Sequence, residues 1–157
     1  VLGIGSQGSS YPVRDAYLDL DPTYKDPHGR PLLRMTFDFN ANDAKMAAFV
    51  ADKTAEIGKS LNPRQIVKAP PLGPYSIVPY QSTHNTGGAV MGADPSTSAV
   101  NRYLQSWDVP NVFVMGAAVF PQNAGYNPTG TVGALAYWTA EAIINRYLRD
   151  PGPLVHA

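Results

Sequence analysis

Two residues of this chain pair a chemically useful side chain with a loop setting. His84 lies in Thr83-His84-Asn85-Thr86-Gly87-Gly88-Ala89-Val90-Met91-Gly92. Asn127 lies in Val119-Phe120-Pro121-Gln122-Asn123-Ala124-Gly125-Tyr126-Asn127-Pro128-Thr129-Gly130-Thr131. An unperturbed imidazole titrates near about 6.5 and can take a proton from an alcohol at neutral pH. A histidine in a glycine-bounded loop and an asparagine at a helix start could together form an acid/base pair. Each also has a plain structural reading. His84 could be an exposed or structurally hydrogen-bonded histidine, and Asn127 could cap the helix that Pro128 enters. As a cap, its carboxamide serves a ligand only if another group or water satisfies the helix amides. That helix start carries roughly half a positive charge and would stabilise an anion. His28, in Asp26-Pro27-His28-Gly29, reads as a turn residue, and His156 as part of a disordered Pro-rich tail. No metal site is expected, and the absence of cysteine removes thiolate ligands, disulfides and cysteine nucleophiles together.

These residues need a scaffold, and 157 residues suffice for a single domain, 1–157, with one core. Apolar residues at 44% and charged residues at 15% read as globular rather than disordered. Twelve basic and twelve acidic residues cancel, so no electrostatic footprint for nucleic acid or anionic lipid is present. No run reaches the roughly eighteen apolar residues of a membrane helix. The start at Val1, with no Met and no charged leader, reads as a cut in a longer chain rather than a signal peptide.

Fifteen prolines and fourteen glycines predict long ordered loops between few regular elements. Residues 1–31 read as irregular. Residues 32–39 alternate, placing Leu33, Met35, Phe37 and Phe39 on one face of a half-buried strand. Residues 40–42 offer an N-cap to a helix over about 43–61. There Met46, Phe49, Val50, Ile57 and Leu61 recur at helical spacing, and Asn62-Pro63 ends the run. Residues 65–68 suggest a short strand, 98–101 a short strand or turn, and 111–115 a buried strand. A second helix runs over about 128–149, with Val132, Leu135, Ala136, Thr139, Ala142, Ile143 and Tyr147 on one face. Small residues on its first half admit a close neighbour. The fold class is α+β, with a mostly antiparallel sheet, two main helices and long Pro/Gly-rich loops. Two helices are too few for a series of βαβ crossovers.

Gly3-Ile4-Gly5-Ser6-Gln7-Gly8 satisfies G-x-G-x-x-G, the pattern that cradles a dinucleotide pyrophosphate when a strand feeds it and a helix follows. Only two residues precede it, and Ser9-Ser10-Tyr11-Pro12 favours a turn over a helix. The segment reads as turn-rich chain.

The His84 loop ending in Met91-Gly92, the apolar run through Ala118, and Asn127-Pro128 opening the last helix resemble, in that order, the C-terminal signature of the glucose-methanol-choline (GMC) flavoprotein oxidoreductases. The resemblance covers nearly the whole chain and is strongest over 80–146. It implies that His84 is the catalytic base and that Asn127 hydrogen-bonds the substrate oxygen. It places Gly116, Ala117, Pro128 and Thr129 against the flavin of an FAD cofactor. It further implies that the chain is the C-terminal part of a larger enzyme whose N-terminal FAD-binding Rossmann part lies elsewhere, so that this part alone is inactive. Tyr11-Pro12-Val13-Arg14-Asp15 with Asp19-Leu20-Asp21-Pro22 is most similar to the bacterial branch of gluconate 2-dehydrogenase-type flavoproteins and related sugar and polyol dehydrogenases. For that branch the resemblance implies a sugar acid or polyol substrate, a cytochrome c subunit as partner and a place at the periplasmic face of the inner membrane. Two departures stand out: His84 is followed by Asn85 rather than proline, and the 116–118 turn has small apolar residues where many members are acidic. The alternative function is a non-catalytic ligand-binding or partner-docking domain of the same fold.

Overall fold

In the computed structural model, which describes residues 1–76, 78, 84–123 and 125–156, the chain gathers into two compact units, Val1–Gln81 and Ser82–Ala157. The first unit holds an antiparallel hairpin of β1 (Tyr17–Lys25) and β2 (Pro31–Thr36), followed by helix α1 (Ala41–Ser60). Asp26 builds the turn. Its Oδ1 accepts from the amides of His28 and Arg30, both at 2.9 Å, and its Oδ2 takes the Arg30 side chain. Gly29 supplies the positive φ of 79° that the turn requires. These bonds hold the Asp26 carboxyl below its usual range, the Arg30 amide contributing most.

The β1 strand corrects the expectation that residues 1–31 are irregular. Pro22 cannot donate to the ladder, and the register shifts between Leu20 and Lys25, across that proline. Asp21 Oδ1 instead accepts the amides of Thr23 and Tyr24, both at 2.8 Å. Thus Asp21-Pro22 breaks the alternation that would have revealed the strand. On β2, Leu33 and Met35 do share a face, opposite Leu20 and Leu18, but every residue of the strand is exposed rather than half-buried. The other face carries the Asp19–Arg34 ion pair. Phe37 and Phe39 leave the strand and form an edge-on aromatic trio with Tyr75 at 5.0–5.8 Å. Asp38 Oδ1 accepts the Tyr75 amide beside them at 2.8 Å.

Helix α1 starts where its sequence says. Asn40 accepts from the amides of Asn42 and Asp43, and Asp43 answers by accepting from Asn40 N, a complete capping box. Asn62, at φ 48°, and Pro63 end it. The glycine-rich N-terminal segment feeds no strand into a helix. It lies along α1, so close at Gly8 that a Cβ there would sit 2.5 Å from Met46 Cε. The short strand expected over 65–68 is irregular chain.

The second unit is built on helix α2 (Thr129–Ala142), which continues as a π-turn over Ile143–Tyr147. Its buried Thr139 and Ala142 lie on the expected inner face. The core is Val100, Leu104, Val119 and Phe120, with Met91, Val114, Val132 and Leu135 packed against it. Burying each such large side chain is worth about 1.5–3 kcal/mol. The buried strand expected over 111–115 is only a bridge, Gln105 opposite Phe113, with Val112 and Met115 exposed. The tail is ordered rather than disordered. Gly152 O accepts from Gln105 Nε2, and the Leu154 amide donates to Gln105 Oε1. Among the described residues no helix is long and apolar enough to cross a membrane.

Candidate functional site

His84 stands at the head of a loop whose downstream arm is held from both sides. On one side the amides of Gly87, Ala89 and Met91 donate to the carbonyls of Ala117, Ala118 and Val119 at 3.2, 3.1 and 2.8 Å. Alternate residues donate, which is strand spacing. On the other side Ala99 N donates to Val90 O at 2.9 Å, and Gly92 N donates to Val100 O at 3.0 Å. The arm 87–92 is therefore the middle ply of three. The short 3-10 turn Ala117–Val119 is carried on its edge.

The bends that allow this are local. His84 itself has φ 60°, and Gly87 and Gly88 follow at 85° and 96°. For a histidine the left-handed region costs about 1 kcal/mol, which persists only where the surroundings over-determine the backbone. Gly116 enters the turn at φ 113°, and a Cβ there would meet nothing within 4 Å. The space beside Gly116 is therefore open.

Asn127 is exposed and Pro128 buried. The cap expected of Asn127 is not made. Pro128 takes the N-cap position with φ −87° and ψ −3°, and no side chain caps the helix. Asn127 is thus one residue too early for its carboxamide to reach the second and third helical amides in the usual way. Among the described residues the carboxamide and the first-turn amides of Thr129, Gly130 and Thr131 are left for other partners, with the positive end of the helix dipole behind them. A Cβ on Gly130 or Gly133 would likewise meet nothing within 4 Å.

Backbone hydrogen bonds join only part of the set singled out in the sequence. Ala117 is bonded to the His84 loop through Gly87. Pro128 and Thr129 open a helix whose Val132 packs on the same core as Val119 and Phe120. Among the described residues no hydrogen bond runs from His84 to Asn127. No described cluster of three His, Cys, Asp or Glu could hold a metal ion.

A brace beneath the loop escapes sequence reasoning. Ser98 Oγ donates to Asp94 O at 2.6 Å and accepts from Trp107 Nε1 at 2.9 Å. Ser98 also lies so close to Gly92 that a Cβ there would sit 2.7 Å from Ser98 Cβ. The Met91-Gly92 pair marks the loop end in sequence, but nothing in it reveals that Ser98 is the neighbour.

A profile of the GMC oxidoreductase family matches residues 12–136. The gluconate 2-dehydrogenase flavoprotein of Pantoea cypripedii is 55% identical over 99% of this chain and 26% of its own length. The 2-methyl-1,2-propanediol dehydrogenase of Mycolicibacterium austroafricanum is 31% identical over 89% of the chain and 24% of its own length. The fructose dehydrogenase large subunit of Gluconobacter japonicus is 32% identical over 82% of the chain and 22% of its own length. The chain spans about a quarter of the length of these curated relatives. It belongs to the GMC oxidoreductase family, whose C-terminal domain it carries.

Proposed function

We propose that this chain forms the substrate-side part of an FAD-dependent dehydrogenase that oxidises a CH–OH group of a sugar, sugar acid or polyol. One observation carries the reading: the three-bond ladder that fastens the His84 loop to the open turn beginning at Gly116. The residues present fit a flat aromatic cofactor. The space a Cβ would take at Gly116 and Gly130 is clear, and α2 begins without a side-chain cap. Gly116, Ala117, Pro128 and Thr129 would hold the ring, and FAD, when bound, supplies the hydride acceptor. His84 takes the hydroxyl proton of the substrate onto its imidazole. Asn127 orients the substrate oxygen through its carboxamide. The ladder holds the loop from Gly87 onward, three residues from His84, which limits where the base can lie before substrate arrives.

The name of the Pantoea cypripedii relative supports a sugar acid as substrate, and that of the Gluconobacter japonicus relative supports a sugar. The family's domain organisation supports an FAD-binding Rossmann domain in the same polypeptide. Resemblance to the membrane-associated branch supports a cytochrome c subunit as electron acceptor, at the periplasmic face. The test is to mix the complete polypeptide anaerobically with D-gluconate, D-fructose or D-sorbitol and follow the flavin band. Bleaching by at least one of the three is expected. A flavin that none of them bleaches would contradict the reading.

A further inference from the structure

The arm 87–92, which runs between the His84 loop and the Gly116 turn, is located from behind as well. Its outer neighbour, 98–100, is tied to it by Ala99 N to Val90 O and by Gly92 N to Val100 O. Trp107 pins that outer ply through two bonds. Its amide donates to Ala99 O at 3.2 Å, and its indole Nε1 donates to Ser98 Oγ at 2.9 Å. Ser98 in turn donates its hydroxyl hydrogen to Asp94 O at 2.6 Å. An indole N–H can only donate, and a serine hydroxyl has one hydrogen to give, so the direction of both side-chain bonds is fixed. The half-buried Ser98 side chain is thereby held in one orientation.

That side chain occupies the space a side chain would take at Gly92. A Cβ built there would sit 2.7 Å from Ser98 Cβ and 2.9 Å from Ser98 Oγ. The end of the arm therefore lies directly against Ser98. Met91, one residue back, makes the shortest bond of the ladder, 2.8 Å to Val119 O, and bridges to Val100 on the other side. A shift of Ser98 thus reaches the Ala117–Val119 turn within two residues of the arm, because close-packed chain passes a displacement on rather than absorbing it.

We infer that Ser98 and Trp107 are positioning residues for the oxidation. The indole N–H locks the Ser98 side chain, and that side chain sets where the arm ends against the turn assigned to the flavin. The inference rests on the function proposed above and adds two residues to which that function assigns no contact with substrate or flavin. Proton and hydride transfer need the reacting atoms closely aligned, and a misplacement of about 1 Å can cost about a hundredfold. Losing one side-chain bond of the brace leaves the backbone bonds in place, so a smaller loss is expected.

The test compares Ser98→Ala, Trp107→Phe, their double variant and His84→Ala, all in the complete flavin-loaded polypeptide. Ser98→Ala keeps the Cβ against Gly92 and removes both side-chain bonds. Trp107→Phe keeps an aromatic ring and removes the indole donor. Anaerobic flavin reduction is read per bound flavin across substrate concentration, and amide exchange is read by mass spectrometry over residues 84–92. Exchange over 84–92 should be faster in both single variants. The limiting reduction rate should fall about tenfold in either one and no further in the double variant, with the half-saturating concentration within about twofold. A role in stability alone would lower the urea midpoint and leave that limiting rate unchanged. An unchanged limiting rate, where His84→Ala does lower it, would overturn the inference. So would losses that multiply in the double variant, a loss confined to the half-saturating concentration, or unchanged exchange over 84–92. If His84→Ala is equally without effect, the function proposed above is what fails, and the inference falls with it.

Discussion

Gln105 is 1% exposed, and it ties three stretches of the second unit together. Its Nε2 donates to Pro110 O at 2.7 Å and to Gly152 O at 2.9 Å. Its Oε1 accepts from Leu154 N at 2.7 Å and from Asn101 Nδ2 at 3.2 Å. A glutamine offers two donor hydrogens and two lone pairs, so every site on the side chain is used. Gln105→Leu keeps the volume and removes all four bonds. Each is worth about 1 kcal/mol net, and each partner left buried without water costs about 1–3 kcal/mol. Allowing two of the freed groups to regain water, the loss is about 3–5 kcal/mol. Gln105→Glu sharpens the argument, because it sets a second oxygen against two carbonyls. Burial and those carbonyls push the new carboxyl above the ordinary value of about 4.3. The unfolded chain then loses its proton first, so the deficit relative to wild type widens as pH rises from about 4.3 toward the raised folded value. Urea unfolding followed by tryptophan fluorescence reads both effects, since Trp107 and Trp138 are the chain's two tryptophans and both lie in this unit. A loss under about 1 kcal/mol for Gln105→Leu, or a Gln105→Glu deficit that does not widen with pH, would refute the reasoning.

Three further outcomes follow from the packing. Thr139 is fully buried with a hydroxyl that has no partner among the described residues, so Thr139→Val should raise stability by about 1 kcal/mol in the same urea assay; a lower midpoint would contradict this. Gly92→Ala should cost about 1–3 kcal/mol, because the new Cβ falls 2.7 Å from Ser98 Cβ. Ser98→Ala should not relieve that cost, since it keeps the offending atom. The amides bonded to Asp26 hold its carboxyl below the ordinary 3.8. Its contribution to the hairpin is therefore complete above that pH and lost only as pH falls through the lower folded value. Carboxyl carbon NMR should show Asp26 titrating below the ordinary value in the folded chain, and Asp26→Asn should remove that acid sensitivity.

Much of this was legible in the sequence where local chemistry and the final fold agree. Helix α1 was, because Asn40 and Asp43 make their capping box from neighbours and Asn62-Pro63 stops the run. Helix α2 was, through its apolar spacing and the proline at its start. The hairpin was not, because its first strand carries Asp21-Pro22 at a shift in register. The apolar run at 112–115 reads as a buried strand but pairs through a single bridge at Phe113. At the candidate site, the motif order named His84, Asn127 and the turn between them as candidates. The ladder from Gly87 to Met91 depends on partners 28 to 30 residues away, and the missing Asn127 cap on Pro128 taking the N-cap position. Gln105 reads as a surface residue by type and is instead among the most buried side chains.

In the proposed function, His84 is the base acting beside a flavin held at the Gly116 turn. The most direct test is the rate at which substrate bleaches the flavin, without oxygen, in the complete enzyme and in its His84→Ala variant. The account predicts a fall of about 10²–10⁴-fold, with the FAD absorbance and the tryptophan unfolding midpoint retained. A variant that holds FAD and is reduced within about threefold of the wild-type rate, far short of what losing a general base costs, would contradict it.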